Sequence, residues 1–113
     1  MHGQPRGRVH ITEDDRDTDA ITRVLAGDAD AYAEIVSRHV DVARRAAIAL
    51  GARDEADDVV QEAFVKAYRT LGRFRQGSAF RPWLLRIVAN ETRNLHRTRR
   101  RRDVREERTA QLT

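Results

Sequence analysis

The chain has 113 residues, enough for one domain with a modest core and too few for a second independent one. Aromatics make up 5% of it and charged residues 35%, so the core must be built mainly from Ala, Val, Leu and Ile, which argues against a large buried ligand pocket. The absence of cysteine excludes disulfides and thiolate metal sites, and the four histidines, at positions 2, 10, 39 and 96, are scattered along the chain.

Residues 1–17 are polar, contain Gly and Pro and the run Glu13-Asp14-Asp15-Arg16-Asp17, and show no apolar period; a disordered N-terminal tail is expected. A short helix follows from Asp19 to Ala26, with Ile21, Val24 and Leu25 on one side and Gly27 as its stop. From Ala29 to Leu50 the set Tyr32, Ile35, Val36, His39, Val40, Ala43, Ala46, Ala47 and Leu50 keeps three-and-four spacing, which predicts a long amphipathic helix ended by Gly51. Another starts at Asp54 and turns Val59, Val60, Ala63, Phe64, Ala67, Tyr68 and Leu71 inward.

Gly72 to Ser78 is a loop by its glycines. A fourth helix begins near Ala79, tolerates Pro82 in its first turn and repeats Trp83, Leu84, Ile87, Val88 and Leu95 before the run Arg97 to Arg102. Residues 103–113 mix both charges with few hydrophobes and read as a frayed helix end or a linker. The expected fold is all-α, a bundle of about four helices, with residues 18–102 as its folded domain. The N-terminus lacks the apolar core of a secretory signal and no apolar run approaches the ~20 residues that span a bilayer, so a soluble, cytoplasmic chain with no membrane contact is expected.

Charge is partitioned along the chain. Residues 1–72 carry a net −4, and residues 73–102 carry +9 from ten arginines against the single Glu91. A basic segment concentrated on part of a mixed domain points to nucleic acid better than a uniformly basic chain does. Residues 54–62 hold five carboxylates and no cation. Most of these fall in a first helical turn, where they complement the macrodipole, but Asp58, Gln61, Glu62 and Val65 also share a side turned away from the apolar stripe. A dipole cap and a docking face are both open on the residues alone.

In the basic segment, Phe74, Phe80 and Trp83 alternate with Arg73, Arg75 and Arg81, which offers stacking faces beside phosphate partners. Trp83 falls on the inward stripe, while Phe80 is open to either side. Arg73, Arg75, Gln76 and Ser78 lie in a Gly-flanked loop with no packing reason to be there. Arg86, Asn90, Arg93, Asn94 and Arg97 recur at helical spacing as one polar stripe; amides can pair with base edges and guanidinium groups with phosphate or guanine. The run Arg99 to Arg102 is a general polyanion binder. No cofactor or metal site is expected. No histidine pairs with a carboxylate and a nucleophile in sequence, and the acidic run lacks the glycine and alternating ligands of a calcium loop, so no enzymatic activity is expected.

The order Asp57-Asp58-Val59-Val60-Gln61-Glu62-Ala63-Phe64, then Trp83-Leu84 and Ala89-Asn90, resembles region 2 of bacterial sigma-70 family factors, and most closely the extracytoplasmic-function (ECF) group, over Thr18 to Arg102. The resemblance implies a non-enzymatic specificity subunit of RNA polymerase that recognises and melts the promoter minus-ten element. It implies that Asp58, Gln61, Glu62 and Val65 dock on the β′ clamp coiled coil of core polymerase. It further implies that the unpaired non-template strand is held by Arg73, Arg75, Gln76, Ser78, Phe80, Arg81, Arg86, Asn90, Arg93 and Arg97, with a loop that captures a flipped base. The family more often has Ala-Arg-Asn where this chain reads Val88-Ala89-Asn90, and Asp in place of Asn94, which leaves Asn94 out of the set. An anti-sigma factor is a further implied partner, as is a second helical domain beyond residue 113. A small basic nucleic-acid binder with no polymerase partner would account for the arginines but not for Asp58, Gln61 and Glu62.

Overall fold

The computed structural model describes residues 10–112, and among them every regular element is helical. Four α-helices, α1 (Glu13–Leu25), α2 (Tyr32–Ala49), α3 (Ala56–Arg69) and α4 (Phe80–Leu112), are joined by three short 3-10 turns at Ala29–Ala31, Arg53–Glu55 and Leu71–Arg73. The expected all-α bundle of four helices is therefore what the chain forms. Residues 1–9 of the expected tail lie outside the described residues.

α1 begins six residues before the expected start, because its N-terminus is capped rather than frayed. Thr12 Oγ1 accepts from the Asp15 amide at 3.1 Å and Asp15 Oδ2 accepts from the Thr12 amide at 3.1 Å, a reciprocal capping box with Asp in the place of the usual Glu. Glu13, Asp14 and Asp15 then lie in the first turn, where negative charge is favoured. Ala20 and Ile21 bury the inner face of α1, and Arg23 grips Glu34 with two hydrogen bonds of 2.8 Å. That grip holds the Glu34 carboxyl below the usual carboxylate range. Its small contribution is present above that range and is lost as pH falls through the lowered value.

α2 and α3 meet through small residues: Ala43, Ala47, Ala63 and Ala67 are all fully buried, so the two backbones approach closely. α4 closes the core with Phe80, Leu84 and Val88, one residue per turn, against Ile35, Val59, Val60 and Leu71. Each fully buried side chain of this size is worth about 1.5–3 kcal/mol.

The α2–α3 connection is tied down by α4. His96 Nε2–H donates to the Leu50 carbonyl at 2.9 Å, and Arg99 donates to the carbonyls of Gly51 at 3.2 Å and Ala52 at 2.8 Å, satisfying acceptors that the end of α2 leaves open. Gly51 has φ +94°, and a Cβ there would meet the His96 ring at 3.1 Å, so both the backbone and the ring require glycine. Arg53 holds φ 55° in the same turn, the only non-glycine with positive φ among the described residues. Its side chain is exposed, so Arg53→Gly should relieve strain without losing packing. A gain of about 0.5–1 kcal/mol in urea denaturation is expected, reduced by the extra freedom of glycine in the unfolded chain; a loss would show that the arginine makes a stabilising interaction.

α4 runs for 33 residues, about 50 Å, to Leu112, so the segment from Asp103 continues the helix instead of ending it. From Arg100 onward every described residue is exposed, and good helix formers of both charges carry the helix there without packing.

Candidate functional site

The outward face of α3 carries Asp58, Gln61 and Glu62 exposed and Val65 half-buried, on the side opposite Ala63 and Ala67. Of the five carboxylates in residues 54–62, two are neutralised by the fold: Asp57 accepts from Arg44 on α2 at 2.8 Å, and Glu55 from Arg99 on α4 at 2.7 Å. Asp58 and Glu62 have no ion pair among the described residues. They border a polar furrow between α3 and α4 with Glu55, Glu91 and Asn94. Gln61 and Val65 lean the other way, onto an apolar groove between α2 and α3 floored by Tyr32, Val36, Val40, Phe64 and Tyr68. The four residues thus form a crest with an acidic flank and an apolar flank.

The apolar flank was not legible as surface in the sequence. Tyr68 lies on the inward stripe by spacing, yet it is 45% exposed and packs edge-on to Tyr32 with ring centroids 5.0 Å apart. Tyr32 donates its hydroxyl proton to the Phe64 carbonyl at 2.6 Å, and burial pushes its phenol well above the ordinary value. The one sequence signal for this groove is that the α2 stripe, from Tyr32 through Val36 to Val40, is wider than a single neighbouring helix can cover.

The loop before α4 is pinned at both ends. Phe74 and Phe80 are buried and pack on each other at 5.7 Å, and each touches Trp83, at 5.2 and 5.6 Å. Between these anchors Arg75, Gln76 and Ser78 stand exposed, and Gly77 makes the turn at φ +93°. Arg73 is exposed on the preceding 3-10 turn.

Two residues of the expected DNA-facing set are not presented that way. Phe80 is 1% exposed, so its ring is core and cannot stack on a base in this conformation. Arg81 turns inward: its Nε donates to His39 Nδ1 at 3.1 Å, and its Nη2 reaches Glu13 at 3.1 Å and the Arg38 carbonyl at 3.3 Å. Arg99 is likewise held by Glu55 and two backbone carbonyls, which leaves Arg100, Arg101 and Arg102 of the terminal run to meet a polyanion. In each case the partner comes from a distant helix, so local spacing carried no sign of it.

The remaining set is brought together. Arg86, Asn90, Arg93 and Arg97 are exposed on one side of α4, opposite the line of Leu84, Val88 and Thr92. Arg93 donates to Asn90 Oδ1, and Arg97 donates to Asn94 Oδ1 at 2.8 Å, which orders the amides along the stripe and leaves their N–H groups outward. Glu91, the only carboxylate of this segment, is 10% exposed and paired with Lys66 of α3, so no free negative charge interrupts the stripe. The arrangement suits an extended polyanion with ring or edge groups presented to ordered amides. Among the described residues no group of His, Cys, Asp or Glu could hold a metal, and no helix is long and apolar enough to cross a membrane.

A helical domain with an unpaired acidic crest on one helix and an arginine–asparagine stripe on another is a non-catalytic adaptor, able to dock on a protein while holding a nucleic-acid strand. Residues 35–102 match the family described as Sigma-70 region 2. The chain belongs to the sigma-70 family, as region 2 of the ECF type.

Among its relatives, the RNA polymerase sigma factor NccH of Alcaligenes xylosoxydans xylosoxydans is 36% identical over 90 residues, covering 79% of this chain and 48% of the relative. The ECF RNA polymerase sigma-E factor of Haemophilus influenzae is 40% identical over 74 residues, covering 66% and 39%. The chain therefore spans about half or less of the length of these relatives. A solved complex of an engineered region 2 of sigmaE with GTAAAA is similar in fold, with TM-score 0.72 and 35% identity over 76% of this chain and 90% of that one.

Proposed function

We propose that this chain is the promoter-opening module of an ECF sigma factor. It docks on the β′ clamp coiled coil of RNA polymerase through Asp58, Gln61, Glu62 and Val65, with the α2–α3 groove taking apolar side chains of the same partner. It holds the unpaired non-template strand of the minus-ten element with Arg73, Arg75, Gln76, Ser78, Arg86, Asn90, Arg93 and Arg97. Binding the open strand in preference to duplex draws the equilibrium toward melted DNA. The observation that carries the reading is the similarity to a region 2 solved with GTAAAA, joined to a stripe on this chain that is free of unpaired carboxylates. A cytoplasmic location follows from the same reading. An anti-sigma factor that competes for the crest is a second reading, favoured by the open apolar groove beside it.

The test is the chain assembled with core polymerase on a library of bubble templates. Grafting residues 73–80 from a relative with a different promoter should move the preferred minus-ten sequence. Neutralising Arg100, Arg101 and Arg102 should instead lower affinity for all sequences alike and flatten the salt dependence, by about 0.7 in slope for each single-strand phosphate no longer neutralised. A graft that leaves the preference unchanged while the arginine variant alters it would mean that base reading lies on the wrong element.

A further inference from the structure

A buried polar chain between α1, α2 and α4 is used by neither surface. Asp17 is 2% exposed; its Oδ1 accepts from Arg38 Nε at 2.8 Å and its Oδ2 lies 2.7 Å from His39 Nε2. His39 is fully buried, and its Nδ1 accepts from Arg81 Nε at 3.1 Å. A guanidinium has only hydrogens to offer, so Nδ1 must present its lone pair and the ring proton must sit on Nε2, donated to Asp17. The imidazole is thus neutral, in one defined tautomer, between a carboxylate and a cation. The groups facing it are Asp17 and Glu13 of α1, Arg38 of α2, and Arg81 with the Phe80 ring of α4, the ring centroids 5.3 Å apart.

We propose that His39 is a positioning residue for the strand-reading loop: neutral, it fixes Arg81 and the adjoining Phe80 anchor, and a second proton uncouples them. The inference rests on the proposed role of the loop in reading DNA. A second proton can enter only at Nδ1, where it would meet the N–H of Arg81 instead of a lone pair, setting two cations against each other where water is excluded. The imidazolium keeps Asp17, so it is Arg81 that leaves, retained only by Glu13 and the Arg38 carbonyl. Arg81 directly follows Phe80, which closes the loop against Phe74, so its release loosens the frame from which Arg75, Gln76 and Ser78 project.

The only tryptophan of the chain, Trp83, packs on both Phe74 and Phe80 and reports on this frame without a label. Taking the full chain from about pH 8 to about pH 5, where imidazoles take up protons, should give a one-proton transition in Trp83 emission with unchanged helix content. His39→Gln supplies an N–H to Asp17 and a carbonyl to Arg81 without titrating, and should abolish the transition. Arg81→Gln removes the opposing cation, should abolish it too, and serves if His39→Gln does not fold. With core polymerase bound, discrimination between the preferred unpaired strand and a scrambled one should fall about tenfold over the same interval, roughly one base contact, and stay level in His39→Gln. A Trp83 transition that persists in both variants overturns the inference, as does discrimination that falls equally in His39→Gln. If no strand is preferred at any pH, the strand-reading function fails, while the Trp83 transition still decides whether His39 holds Arg81.

Discussion

Replacing Phe80 by alanine is expected to cost about 3–5 kcal/mol of folding stability, the range for emptying a large aromatic site in a core. The ring is 1% exposed and touches Phe74, Trp83 and His39, which belong to three different stretches of the chain, so little can collapse into the space. Urea denaturation followed by Trp83 emission measures the loss directly. Phe80→Leu keeps most of the volume and should be far milder, with single-strand binding retained. If Phe80→Leu left stability intact but removed the ~1–3 kcal/mol of a stacked base, the ring would belong to the DNA and its inward placement would be wrong.

Reversing the charge of the α3 crest with Asp58→Arg and Glu62→Arg together is expected to weaken core-polymerase binding on the order of a hundredfold, the range for opposing charges at an interface. Neither side chain is buried or ion-paired among the described residues, so the unfolding temperature should hardly move. Glu55→Arg makes an informative contrast. That carboxylate holds Arg99 at 2.7 Å, and its reversal should loosen the α2–α3 turn against α4 before it affects docking. Wild-type affinity in the double variant would remove the crest from the polymerase interface and leave the apolar groove as its remaining candidate.

The pattern of residues alone was enough to set the helices and the separation of charge. α2, α3 and the first part of α4 were legible because their apolar residues repeat at helical spacing, and because Gly51 and the glycines at 72 and 77 interrupt that repeat. The outward crest of α3 and the Arg86 to Arg97 stripe followed from the same period, since a residue opposite the apolar stripe has nowhere to go but solvent. Cases at the margins of a stripe were resolved by packing between helices. Phe80 went inward because Phe74 and His39 form a site for it, and Tyr68 stayed outside because no helix covers the groove it shares with Tyr32. Charge was as ambiguous as apolarity: Arg81 and Arg99 look like Arg86 in sequence, but Glu13 and His39 hold the first and Glu55 the second, from more than forty residues away. Asp17 and the early start of α1 were hidden for the same reason. A polar run reads as a solvated tail until Arg38 and His39, some twenty residues on, fold back to satisfy it. Spacing reports what a helix can turn toward the core; which charged or aromatic groups the core accepts depends on partners that only the folded chain brings within hydrogen-bonding distance.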